Sequence, residues 1–192
     1  MNCIAKANGS AFDLISIIYD NFLSFRDEGI YNGKPGNIAG KTNELSKLIQ
    51  STVTFLKRAQ ILVADLWGCF EGESYGRFKD IEKLTMFADY RIPQVLHYFG
   101  VLQYSEELSR QLRSQHLLEN GSTEEMEIRG ASIHAVELIR GKMVELASRS
   151  TASSVPVPNS IQIDFYLWGF RRDNATEIDI KSPYHKVRSI FY

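Results

Sequence analysis

The sequence of 192 residues contains little cysteine, only Cys3 and Cys69, which excludes a disulfide framework and a four-ligand zinc site. Both thiols read as small hydrophobes in a reducing compartment, the cytoplasm or the nucleus. Histidine is equally sparse: His97, His116, His134 and His185 show neither His-x-x-x-His nor Cys-His spacing, so neither a metal nor another cofactor is expected. His134, within an apolar helix face, is expected to be a core residue. No charge of one sign dominates, because Lys and Arg number 22 against 23 Asp and Glu, for a net charge of −1. That balance removes any chain-wide attraction to nucleic acid or anionic lipid. Long apolar runs are missing too; the most apolar early stretch, Phe12 to Phe25, is broken by Asp13 and Asp20 and has no basic leader. Neither a membrane nor a nucleic-acid partner is therefore expected. Without a secretory route, the Asn-X-Ser/Thr positions Asn8, Asn120 and Asn174 read as cap and loop residues. Internal repeats and sustained strand alternation are lacking as well, so the expected class is mainly α in a single domain over 1–192.

What is present is the apolar and charged content of an ordinary folded domain, 44% and 23%. The spacing of Phe12, Ile15, Ile18, Tyr19 and Phe22 predicts a helix from Ser10 to near Arg26, opened by Ser10 and Asp13 as a capping box. Asp27 to Gly40 holds Gly29, Gly33, Pro35, Gly36 and Gly40 and reads as a loop. From Thr42 an unbroken apolar pattern through Leu45, Leu48, Ile49, Val53 and Leu56 enters LKRAQILVADLW, predicting one long helix or two in succession ending at Gly68. Further helices are predicted over Phe78 to Met86, Pro93 to Phe99, Ser105 to Glu119, Thr123 to Arg149 and Ile161 to Arg172. The polar, Pro-containing stretch 148–160 reads as a surface loop, and the segment after Ser182-Pro183 leaves room for a short strand.

Residues 36–42, GNIAGKT, together with Asp65 at the end of ILVAD, imitate a phosphate loop and its acidic partner. The imitation is one residue short between the glycines, and no strand pattern precedes it, so a nucleoside-triphosphatase reading is disfavoured. Two other places attract attention. In TMFADYRIPQVL, Asp89 stands at the turn into a helix beside Tyr90 and Arg91, either as a plain helix cap or as a functional carboxylate. In DFYLWGF, Asp164 and Trp168 are four residues apart on one helical face with Tyr166 offset; such aromatics are usually core, and they can also sandwich a flat base beside an accepting acid.

Five ordered blocks carry a resemblance: KRAQILVADLW (57–67), FKDIEKLTMFADYRIPQVLHYFGVLQYSEEL (78–108), EMEIRGASIHAVELI (125–139), DFYLWGFRRD (164–173) and PYHKVRSIFY (183–192). Together they resemble the C-terminal part of the queuosine salvage protein family, the queuosine 5′-phosphate N-glycosylases. The resemblance implies a helical fold similar to that of helix-hairpin-helix DNA glycosylases, and cleavage of the N-glycosidic bond of queuosine 5′-monophosphate to release queuine for reuse in tRNA modification. Its essential aspartate falls on Asp89, a family lysine on Lys57 and a family acid on Asp164. The implied substrate contacts are then Lys57 and Arg91 for the 5′-phosphate, Asp164 for the base edge, and Tyr90, Tyr166 and Trp168 around them. Family members are longer: the portion before the Ser10 helix is expected to be missing, and 37–54 to be an insertion. A second reading therefore stands beside the enzyme, a catalytically inactive family fragment acting as an interaction module.

Overall fold

A computed structural model describes residues 2–31, 51–149 and 156–192. Its eight helices among the described residues are α1 (Cys3–Ala7), α2 (Ala11–Asn21), α3 (Lys57–Cys69), α4 (Arg91–Tyr98), α5 (Glu106–Arg113), α6 (Thr123–Arg149), α7 (Ser160–Asp173) and α8 (Ala175–Lys181). Two small ladders complete the described fold: β1 (Glu28–Tyr31) runs antiparallel to β2 (Ser51–Thr54), and β3 (Leu117–Leu118) parallel to β4 (Lys186–Val187). The chain is mainly helical, and none of the helices among the described residues is long and apolar enough to cross a membrane.

Several elements form where local chemistry places them. Ser10 caps α2 by accepting from the Asp13 N–H, Ser105 caps α5, and Asn159 with Gln162 closes a reciprocal capping box on α7. Asn8 ends α1 in the left-handed region, φ 48°, as its short polar side chain permits. Helix α6 spans the predicted Thr123–Arg149 in full.

Other expectations are corrected. Ser51–Thr54 is a strand, because its β-branched residues pair with β1 in the register Glu28↔Thr54 to Tyr31↔Ser51; the helix begins only at Lys57. Correspondingly the loop predicted from Asp27 contains β1, in which Gly29 lets the Met126 side chain pack close: a Cβ there would lie 2.7 Å from Met126 Cε and move it. The rest of that loop, residues 42–50 of the predicted helix, the near phosphate loop and most of the proposed insertion fall outside the described residues. Asp65 is an exposed residue within α3 and ends no strand. The 148–160 loop is described only at its edges, where 148–149 belong to α6 and Ser160 opens α7. Helix α5 stops at Arg113, not Glu119, as Gln115 turns to φ 59° and Leu117–Leu118 joins the ladder with β4. His134 is exposed, on the side of α6 that faces away from the core.

The largest correction concerns 78–89. Only Ile81–Lys83 makes a single 3-10 turn, and the chain then runs extended between two apolar clusters. Leu84 and Phe87 face the cluster of α2 and α3, with Leu14, Ile18, Ala59 and Val63; Met86 and Ala88 face that of α4, α6 and α7, with Ile92, Leu96, Val136 and Ile163. A buried irregular segment must find partners for its backbone polar groups. Three helices each send one side chain: Gln60 of α3 accepts from Thr85 N, Asp164 of α7 from Phe87 N, and Arg129 of α6 donates to Ala88 O.

At its start the same segment secures α2. Asp80 accepts from Ala11 N at 2.6 Å and from the Ser10 hydroxyl at 2.8 Å, while Ser10 N donates to Ala7 O at 2.9 Å, so the reciprocal half of the capping box expected of Asp13 is not formed. Burial opposes its ionisation, but the hydrogen bonds from Ala11 N, Ser10 and Phe12 N win and hold its carboxyl below the ordinary range. Asp80→Ala is expected to lower stability by about 1–3 kcal/mol at neutral pH, by urea unfolding. A lowered folded pKa gives stability that is full above the unfolded value and lost as pH falls through the folded one, so the wild-type advantage shrinks in acid.

Candidate active site

Three of the residues singled out in the sequence meet where the two clusters join: Lys57 at the first turn of α3, Asp89 just before α4, and Asp164 in the second turn of α7. Each is placed by backbone chemistry. Asp89 Oδ1 accepts from Arg91 N and Ile92 N, both at 2.9 Å, so it caps α4. Asp164 is 4% exposed and accepts from Phe87 N at 2.8 Å through Oδ2. Lys57 starts α3 without a side-chain cap from Leu56, and its N–H is met instead by Asp27 Oδ2 at 3.2 Å. Among the described residues its ammonium makes no hydrogen bond or ion pair, although Asp89, Asp27 and Asp164 all act on it electrostatically.

The electrostatics follow from burial and donor count. Desolvation lowers the Lys57 pKa, against the attraction of Asp89. Burial pushes the Asp89 carboxyl above its usual range, opposed by the Ile92 N–H, Lys57, the Arg91 N–H and the Arg91 charge. Burial pushes Asp164 further, up to about 8; its single N–H from Phe87 lowers it, while the neighbouring Asp89 charge raises it. Two backbone N–H groups and two cations serve Asp89, whereas one N–H serves Asp164. Of the two carboxyls, Asp89 is therefore the readier to ionise and Asp164 the more reluctant.

Arg91 is occupied elsewhere. Its guanidinium lies 4.4 Å from the Tyr184 ring centroid and 4.9 Å from that of Tyr90, and it bonds Gln94 at 3.1 Å and Asp179 at 3.4 Å. Tyr90 packs against Tyr184 and Tyr192, forming an aromatic wall beside Asp89. Trp168, one turn on from Asp164, is 44% exposed and lies under the Arg172 guanidinium at 4.7 Å. Tyr166 is not brought to Asp164: it is 68% exposed and about 200° around α7 from it. Among the described residues no group of three or more His, Cys, Asp or Glu is placed to hold a metal ion.

The residues missed in the sequence lie behind this site. Arg129, 2% exposed, donates to both Asp27 oxygens, to Glu125 Oε1 at 3.1 Å and to Ala88 O at 3.0 Å, and lies 4.0 Å from the Phe55 ring centroid. Glu125 also accepts from the Tyr192 hydroxyl, whose oxygen then takes the Nε2 proton of His185 at 3.1 Å. Burial lowers the His185 pKa to about 4, with the Arg129 charge acting the same way, so the ring is neutral. The available signal was Glu125 and Arg129 four apart on a helix face otherwise made of Met126, Ile128 and Ser132.

The Asp164 shift carries a sign. A carboxyl whose folded pKa is raised binds more protons folded than unfolded, so stability falls as pH rises from the unfolded value, about 4, to about 8. Asp164→Asn, which keeps an acceptor for Phe87 N, is expected to be more stable than wild type by on the order of a few kcal/mol near pH 8. Thermal melts along a pH series should show the two proteins converging toward about pH 4.

The family profile described as "Queuosine salvage protein" matches residues 1–192. A "Queuosine 5'-phosphate N-glycosylase/hydrolase" of Mus musculus is 42% identical over 193 residues, covering 100% of this chain and 51% of the relative. Proteins of the same name from Sphaerobacter thermophilus and Schizosaccharomyces pombe are 38% and 36% identical, covering 100% and 98% of this chain and 50% and 49% of the relatives. The chain spans about half the length of these curated relatives. With the profile matched from end to end, the chain belongs to the queuosine salvage protein family.

Proposed function

We propose that this chain carries the catalytic carboxylates of a queuosine 5′-phosphate N-glycosylase, hydrolysing queuosine 5′-monophosphate to queuine and ribose 5-phosphate. The observation that carries it is the convergence, at one seam of a family member, of two buried carboxyls with unequal donor supply, Asp89 and Asp164, and of Lys57, whose ammonium has no hydrogen-bond or ion-pair partner among the described residues. Queuine is a 7-deazaguanine, with carbon where a purine has N7, so the leaving base cannot be activated by protonation there. The burden moves to C1′, whose oxocarbenium-like transition state Asp89 stabilises as an adjacent anion. The glycosidic bond breaks with its electron pair going to the base nitrogen. Water then supplies hydroxide to C1′ and a proton to that nitrogen.

Lys57 is the better cation for the 5′-phosphate, because Arg91 is already engaged by Gln94 and Asp179. Protonated Asp164 offers one O–H donor and one acceptor, which suits the adjacent carbonyl and N–H of a guanine-like edge. Trp168 and Tyr90 supply ring faces, Arg91 steadies Tyr90, and Tyr166 stays outside this arrangement. The substrate is thus a mononucleotide, in a cytoplasmic or nuclear setting, with no cofactor and no direct contact to nucleic acid. The proposal extends to the fold, a single domain of helix-hairpin-helix DNA glycosylase kind, with which the mainly helical order is compatible.

The second reading, an inactive interaction module, is favoured by the outer half of α6, where Leu138, Val144 and Leu146 are exposed. Turnover separates the two. Asp89→Ala is expected to keep a cooperative melt and to lose queuine release from queuosine 5′-monophosphate by at least about 10²–10³-fold, followed by chromatography. Full turnover by that variant removes Asp89 from the mechanism, and an inactive wild type whose melt the nucleotide does not shift supports the module.

A further inference from the structure

Behind the site, four segments converge on one side chain that no part of the proposed chemistry uses. The Arg129 guanidinium spends its Nη1 and Nη2 on Asp27 and Glu125 and its Nε on the Ala88 carbonyl. Asp27 passes the constraint to α3, since its carboxylate also accepts the Lys57 N–H while its carbonyl accepts from Phe55 N at 2.9 Å. Ala88 passes it to the residue that follows, Asp89. One planar fork thus spans the backbone that starts Lys57 and the backbone that presents Asp89.

Stability alone is a poor reason for such a group. A buried ion pair is often matched by apolar residues of the same volume, and the Phe55 and Tyr192 rings already lie against this one. What apolar packing cannot do is fix two polar backbones at a set separation, which a rigid guanidinium with donors on three nitrogens does. We propose that Arg129 is a positioning residue for the reaction: by holding Asp27 and the Ala88 carbonyl at once, it sets the placement of Lys57 relative to Asp89. The role rests on the glycosylase reading, because it concerns the spacing between the phosphate anchor and the carboxylate at C1′.

The test uses charge-conserving variants of the whole chain, Arg129→Lys and Asp27→Glu, so that any effect reports geometry and not lost charge. A lysine makes a point contact and cannot hold Asp27, Glu125 and Ala88 O together; a glutamate moves the fork by one methylene. In whichever variants remain folded at the assay temperature, kcat per folded molecule for queuosine 5′-monophosphate is expected to fall about 10–100-fold, with KM within about threefold. Lys57 itself is read without substrate: in reductively ¹³C-methylated protein, its resonance, assigned with Lys57→Arg, is expected to titrate at a displaced midpoint in the variants. Because Asp27 and Arg129 also act on Lys57 through their charges, a displaced midpoint counts for placement only where kcat falls with it. A folded variant with wild-type kcat and wild-type Lys57 titration overturns the proposal. Should the wild type itself release no queuine, the glycosylase reading fails, and an unchanged Lys57 midpoint in the folded variants then overturns the placement as well.

Discussion

A guanidinium taken out of water has to be surrounded by acceptors, and the satisfaction of Arg129 organises this molecule. Its acceptors come from the residue before β1, from its own helix one turn back, and from the extended segment before α4. Removing one partner of such a buried pair costs about 3–5 kcal/mol, since the other charge is left stranded. The β-hairpin, the first turn of α3 and the approach to Asp89 are therefore not independent pieces. Phe55 and Tyr192 cover the guanidinium with their rings, so water does not compete for its donors.

The same logic recurs wherever an irregular backbone is buried. Residues 84–89 form no ladder and no helix, yet Gln60, Asp164 and Arg129 supply what regular structure would have supplied. Helix starts are served in the same way by carboxylates from outside the helix: Asp80 for α2, Asp27 for α3 and Asp89 for α4. Structural duty and chemical capacity then coincide. Asp89 ionises ahead of Asp164 because it caps a helix beside Lys57, whereas Asp164 holds its proton longer with one N–H partner and an anionic neighbour. Two carboxyls of different acidity at one place are what acid–base and charge-stabilising chemistry needs. The arrangement follows from unequal numbers of donors, not from unequal residue types.

Legibility in the sequence divides along range. The Ser10 cap, the start of α5 after Ser105 and the full extent of α6 were readable because each depends on neighbours within a turn. Ser51–Thr54 escaped because apolar residues on either side kept a helical spacing, and only pairing with β1 revealed the strand. The extended 84–89 escaped because its partners lie in three other helices. Asp27 was hidden in a glycine-rich stretch, and its partner Arg129 stands 102 residues away. By itself the sequence determined the helical class, the local caps and the residue types at the site, Lys57, Asp89 and Asp164, through motifs that resemble one family. Only the tertiary structure decided that Asp164 is the more reluctant acid of the two, that Arg91 and not Lys57 is engaged by Gln94 and Asp179, and that Tyr166 faces outward. Protonation and pairing depend on burial and on donors brought from distant segments, and no local pattern of residues encodes those.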